Sequence, residues 1–149
     1  MPVAIRKALR SDLEAILGLY AELEIGDSQL LDLRDAEHIF ERMELYPSYT
    51  MYVAELENEI VGAFALLIMD NLAHMGAPSG IVEDVVVHSQ RRRQGIGKAM
   101  MQFAMEQCTK AGCYKLTLSS NLKRQSAHKF YQSLGFQQHG YSFLVNPGE

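Results

Sequence analysis

The sequence predicts an α/β fold: one domain over residues 1–149, built on a mixed, mostly antiparallel sheet with a central parallel strand pair and about four flanking helices. Three observations predict it. Ile81–Val87 is an apolar, β-branched run, followed by the turn Gly95-Ile96-Gly97, a helical stripe and a second strand pattern at Tyr114–Ser119. Strand, helix, strand makes a right-handed crossover between parallel strands. Upstream, Tyr49–Leu56 and Ile60–Met69 flank Glu57-Asn58-Glu59, the pattern of an antiparallel hairpin. Finally, no Pro/Ser/Gly-rich linker and no repeat divides the chain.

In order, Val3–Leu9 reads as a short extended start. Ser11 and Glu14 form a capping-box pattern ahead of Leu13, Ile16, Leu17, Tyr20 and Leu23, which recur at helical spacing to about Glu24. Gly26-Asp27-Ser28 ends that helix. A second runs from Asp35, with Ile39, Phe40 and Met43 on one side, and stops before Pro47. Gly62, inside a strand, marks a bulge or a close approach. Asp70–Gly80 is a loop. From Ile96, apolar residues at 99, 100, 103, 104, 108 and 111 form a helix face that Gly112 terminates. A short helix from Ser126 carries Ala127, Phe130, Tyr131 and Leu134, and a last strand is expected over about Gln138–Val145.

Composition excludes several classes. Hydrophobic residues are 48% and charged ones 21%, the balance of a soluble globular protein. A net charge of −4 argues against a nucleic-acid partner, although Arg91-Arg92-Arg93 is a local basic spot. No signal peptide is expected, because Arg6, Lys7, Arg10 and Asp12 interrupt any apolar start. The longest apolar run, Ile60–Met69, is too short to span a membrane. Cys108 and Cys113 lack partners at zinc spacing and read as reduced cytoplasmic thiols, and no metal is implied.

The chemistry concentrates in Ile81–Met100. A strand feeding a glycine turn and a helix aims unpaired backbone N–H groups at an anion, and basic neighbours add charge. A P-loop is excluded because Ala99 stands where a hydroxyl residue is needed. A dinucleotide fingerprint is excluded because Met100 replaces its third glycine. What remains is Arg92-Arg93-Gln94-Gly95-Ile96-Gly97, an Arg/Gln-x-x-Gly-x-Gly/Ala pattern.

That pattern resembles the acetyl-CoA signature of the GCN5-related N-acetyltransferase (GNAT) superfamily, and the element order agrees. Val82–Val87 and Gly112–Leu116 are similar to amino-sugar-phosphate N-acetyltransferases. Ser120–Arg124, Ala127–Tyr131 and Leu134-Gly135-Phe136 are similar to the aminoalkylphosphonate and small-amine branches. Arg93 stands where those families most often have glycine. The resemblance implies a β-bulge splaying the central strands, and an N-acetyltransferase that uses acetyl-CoA as co-substrate and a small primary amine as acceptor by direct attack. It assigns the pyrophosphate to Arg92, Arg93, Gln94, Gly95, Ile96, Gly97 and Lys98. The pantetheine goes to the backbone of Val85, Val86 and Val87, with Asn121, Ala127 and Phe130 beside the cofactor.

Glu83 is the implied base or amine anchor, against a structural ion pair with an arginine. Strict alternation would put it on the face of Ile81 and Val85, with Asp84 on the face of Val82 and Val86, and at least one acid buried or lining a cleft. Tyr131 is the implied acid for the leaving thiolate, against a place in an apolar stripe. Acceptor specificity is expected on Gln29–Arg34 and Asp70–Gly80, where Arg34 and His74 face an anionic group. A homodimer is expected because the fold commonly pairs. The alternatives are a non-catalytic acyl-CoA-sensing module and an acetyltransferase acting on a peptide or protein amine.

Overall fold

The computed structural model describes residues 2–23 and 31–148. The expected end of the first helix at Glu24, the stop at Gly26-Asp27-Ser28 and the start of the Gln29–Arg34 loop lie outside the described residues. Five strands form one sheet in the order β1-β2-β3-β4-β5: β1 Ala4–Lys7, β2 Tyr49–Leu56, β3 Glu59–Met69, β4 Ser79–Val87 and β5 Lys115–Thr117. Neighbours pair antiparallel except β4 and β5, which are parallel, as the crossover requires. The helices are α1 Leu13–Leu23, α2 Leu33–Glu44, α3 Ile96–Ala111 and α4 Gln125–Ser133.

The chain divides into two compact units, Met1–Thr117 and Leu118–Glu149. In the first, residues of β2 and β3 are fully buried on both faces, Val53, Ala54, Val61, Ala63 and Phe64 among them. On one face Val53, Ala63 and Val86 pack with Leu13, Ile16, Leu19 and Phe40 of α1 and α2. Burying each such large apolar side chain stabilises the fold by roughly 1.5–3 kcal/mol. On the other face Tyr52 stacks on Phe64 and meets Phe103 of α3 edge-on. Gly62 lets α3 settle there: a Cβ at this position would lie 2.9 Å from Met100 Sδ and 3.2 Å from the Val86 carbonyl oxygen. The β2–β3 register also slips beside it, so both readings of Gly62 hold.

Three sequence expectations change. The cap ahead of α1 is made by Asp12, whose carboxylate accepts the Leu9 N–H at 2.7 Å, and not by Ser11 and Glu14. Arg6 holds Asp12 in place from β1, an anchor that Ser11 lacks. β5 is three residues long, shorter than Tyr114–Ser119. The strand expected over Gln138–Val145 is absent: the segment pairs with no strand among the described residues, and an alternating pattern without a ladder leaves Tyr141, Phe143 and Val145 exposed.

Candidate active site

The site starts at an irregularity in β4. Ala65 stands opposite Glu83 and Ala63 opposite Val86, so Phe64 alone faces Asp84 and Val85. Two residues against one is a β-bulge, and Asp84 takes the left-handed conformation, with φ of 54°. Asp tolerates that region better than most residues, at a cost of about 1–2 kcal/mol. The Tyr20 hydroxyl on α1 donates to the Asp84 carbonyl oxygen at 3.2 Å.

The bulge overturns strict alternation. Side chains of directly paired residues share a face, so Glu83 lies on the face of Ile81 and Val86 rather than Val85, while Val82, opposite Leu66, lies on the other. Val82 and Val86 are both buried because helices cover both faces. Between them, neither acid is buried: Glu83 and Asp84 are both exposed.

Beyond the bulge, β4 has a free side. β5 pairs with it only at Ser79, Gly80 and Ile81. No strand pairs with its outer edge from Val82 to Val87 among the described residues. Backbone groups on that edge are open to an extended chain of amides, as in strand addition. Val85 and Val87 are half-buried, whereas the Val86 side chain belongs to the core with α1.

The strand leads into a 3-10 turn, Ser89–Arg91, anchored from two sides. His88 Nδ1 accepts the Gln90 N–H, and the Ser89 N–H donates to Glu22 on α1. Arg91 pairs with Glu59 at 3.1 Å. Arg92, Arg93, Gln94 and Gly95 then form an exposed loop in which Arg93 and Gly95 have positive φ, 64° and 79°. Arg93 thus occupies a backbone conformation that suits glycine. α3 opens with Gly95 as its cap, and the Ala99 N–H donates to the Gly95 carbonyl, closing the first turn. The N–H groups of Ile96, Gly97 and Lys98 precede that bond and have no partner within the helix. Ile96 is buried and anchors the turn, while Lys98 is exposed. Unpaired helix donors, the helix dipole and the exposed Arg92 and Arg93 together have the chemistry to attract an anion, while Arg91 is taken up by Glu59.

The second unit carries the remaining expected residues. Tyr131 on α4 is buried, meets Phe136 edge-on at 5.8 Å and lies beside Phe130. Burial pushes its phenol above the usual range, with Arg124 opposing. Ala127 and Phe130 are half-buried on the same helix. Asn121 Oδ1 accepts the Lys123 N–H at 2.9 Å, so this oxygen shapes the turn into α4. Beside it, Ser120 Oγ is buried with no hydrogen-bond partner among the described residues.

Two tyrosines matter that the sequence offered only as pattern residues. Tyr20 touches the bulge, and Tyr49, opposite Leu67, shares the face of Glu83, opposite Ala65; its phenol is raised by burial and then by the carboxylates of Asp84 and Glu83. Tyr49 also lines a cavity of about 420 Å³, together with Lys7, Arg10, Phe40 and Tyr46. Of the loop residues, Arg34 lies exposed in the first turn of α2, and His74 stacks on Tyr114 with ring centres 4.0 Å apart. Among the described residues no group of three or more His, Cys, Asp or Glu side chains is gathered as a metal would require, and no helix is long and apolar enough to cross a membrane.

Residues 13–136 match the Acetyltransferase (GNAT) family, a span that runs across both units. The chain is 31% identical over 144 residues to an aminoalkylphosphonate N-acetyltransferase of Salmonella typhimurium, covering 96% of this chain and 91% of that protein. It is 39% identical over 80 residues to a glucosamine 6-phosphate N-acetyltransferase of Trypanosoma brucei brucei, 54% of this chain and 52% of that one. Among solved structures, a putative acetyltransferase from Agrobacterium tumefaciens superposes with a TM-score of 0.90 at 32% identity, covering 96% of this chain and 99% of that chain.

Proposed function

The chain belongs to the acetyltransferase (GNAT) family, and on that premise we propose that it transfers an acetyl group from acetyl-CoA to the primary amine of a small molecule. One observation carries the reading: the free edge of β4 from Val82 to Val87 runs into a helix N-terminus at Gly95. An extended amide chain ending in a pyrophosphate matches that sequence of binding groups, and Arg92 and Arg93 match its charge. Residues 1–149 are taken as one N-acetyltransferase domain, because the family match runs across both units.

When bound, the co-substrate supplies a thioester carbonyl as the electrophile. The loop from Arg92 to Lys98 holds the pyrophosphate, and the backbone of Val85, Val86 and Val87 holds the pantetheine. The family resemblance assigns Asn121, Ala127 and Phe130 to the same co-substrate. A main-chain N–H at the bulge stabilises the charge developing on the carbonyl oxygen. Glu83 takes the proton that the ammonium must lose, directly or through water; its exposed carboxylate suits contact with a charged amine. As the nitrogen–carbon bond forms and the carbon–sulfur bond breaks, Tyr131 gives its proton to the thiolate. The second proton shed by the nitrogen as it becomes an amide restores the phenol through solvent. The raised Tyr131 phenol keeps its proton at neutral pH. The aminoalkylphosphonate and glucosamine 6-phosphate relatives support a small acceptor that combines an amine with an anionic group.

Free thiols at Cys108 and Cys113 accord with a cytoplasmic setting. A homodimer accords with four bulky side chains, Tyr141, Phe143, Leu144 and Val145, standing 81–92% exposed. The test is release of free thiol from acetyl-CoA with a panel of aminophosphonates, amino sugar phosphates, polyamines, amino acids and peptides. Turnover with a small amine is expected. Cofactor binding without thiol release would leave the chain a non-catalytic acyl-CoA sensor, and turnover with peptides alone would move the acceptor class.

A further inference from the structure

We propose that Tyr20 is a positioning residue whose hydroxyl grips the Asp84 carbonyl and so aims the Val85 N–H at the reacting carbonyl; this rests on the acetyl-transfer reading above. The Asp84 carbonyl and the Val85 N–H belong to one peptide unit. That unit is planar and trans, so its C=O and N–H point in opposite directions. Fixing the oxygen therefore fixes the N–H. The Tyr20 hydroxyl donates to the Asp84 oxygen at 3.2 Å from the α1 side, which sends the Val85 N–H away from α1.

This peptide needs such a hold. Asp84 and Val85 are the bulged pair that β3 leaves out of its register, and β5 has already parted from β4 at Ile81. Asp84 is in the left-handed region, where a residue without glycine's freedom stays only if its surroundings hold it. Tyr20 is well placed to do so. Its ring packs against the cluster of Leu13, Ile16, Leu19, Val53, Ala63 and Val86, so the position of its hydroxyl is set by the core. Burial, then Asp84 and Tyr49, push the phenol above its usual range, which keeps the donor proton in place. At 3.2 Å the bond is long for a hydroxyl donor, and catalytic hydrogen bonds often tighten only in the occupied complex.

Ring and hydroxyl thus have separable duties, and Tyr20→Phe removes only the second. The expected result is an unchanged melting midpoint, an acetyl-CoA affinity within about 2-fold of the parent, and kcat about 10-fold lower with the acceptor KM unchanged. That loss is smaller than for deleting an oxyanion donor outright, because the N–H remains and only its aim is loosened. The decisive readout is the carbonyl infrared band of bound acetyl-CoA labelled with 13C at the acetyl carbon. In the parent it shifts to lower frequency than in free acetyl-CoA, and in Tyr20→Phe part of that shift is lost. An identical band and kcat in the two proteins would overturn the proposal. So would a melting midpoint and cofactor affinity that fall together, since Tyr20 would then be merely structural. A parent that binds acetyl-CoA but releases no thiol with any amine would refute the acetyl-transfer reading instead, and the band would still report what Tyr20 does to the carbonyl.

Discussion

Arg6 holds Asp12 with two hydrogen bonds, 2.7 and 3.0 Å long, and the same guanidinium reaches Glu55 at 2.9 Å. The pair ties β1 to the start of α1, because Asp12 also accepts the Leu9 N–H. Arg6, and then the Leu9 N–H, hold the Asp12 carboxyl below its ordinary 3.8 despite opposing burial. A carboxyl lowered in the folded state contributes stability above its unfolded pKa and loses it as pH falls through the folded value. Asp12→Asn should therefore cost about 2 kcal/mol at pH 7 and much less well below pH 3.8, as read from urea denaturation at the two pH values.

Replacing Tyr131 with Phe should lower kcat by about 100-fold while acetyl-CoA affinity stays within about 2-fold, because only the proton donor is lost. The phenol lies above 10.0 in the folded protein, and a general acid with a raised pKa keeps its proton to higher pH. The alkaline fall in kcat that belongs to Tyr131 should accordingly lie above pH 10. A pH–rate profile of parent and variant checks both points; an unchanged rate would remove Tyr131 as the acid.

Gly62→Ala should destabilise the protein by about 1–3 kcal/mol. The added methyl meets the Sδ of Met100, which can move, and the carbonyl oxygen of Val86 at 3.2 Å, which is fixed in β4. Chemical denaturation gives the stability. Because Val86 adjoins the bulged pair, turnover should fall in the same variant even where it remains folded.

Burial, and then its neighbour Cys113, push the Cys108 thiol up to about 12. At pH 8 almost none of it is thiolate, so a thiol reagent should modify Cys113 first and Cys108 only on unfolding. Timed alkylation followed by mass spectrometry reads the order. Rapid modification of both in the folded protein would contradict the burial of Cys108, whose sulfur packs on Gly80 of β4.

Much of this was legible in the residues. Tyr49–Leu56 appears as β2 to the residue, because alternation against a buried hairpin partner leaves no other register. The Arg92–Gly97 turn and the helix after it follow from glycine spacing, which is a local signal. What the residues did not disclose depends on partners far along the chain. The twist of β4 at Asp84 needs Tyr20 and Phe64, 64 and 20 positions away in sequence, and no period within Ile81–Val87 announces it. The cap at Asp12 was hidden because its strength comes from Arg6 across a loop. Gln138–Val145 has the alternation of a strand, but alternation specifies which side chains share a face and not whether a ladder exists.

The parting of β5 from β4 after Ile81 also sets a rhythm in how the backbone trades hydrogen with solvent. In Ser79–Ile81, amides pointing either way are bonded to a neighbour and should exchange slowly throughout. Between Val82 and Val87, only the N–H groups turned toward β3 are bonded, so slow and fast amides should interleave along the strand. Adding acetyl-CoA should silence the fast ones while leaving the slow ones as they were, which makes deuterium uptake a residue-by-residue print of where the pantetheine lies.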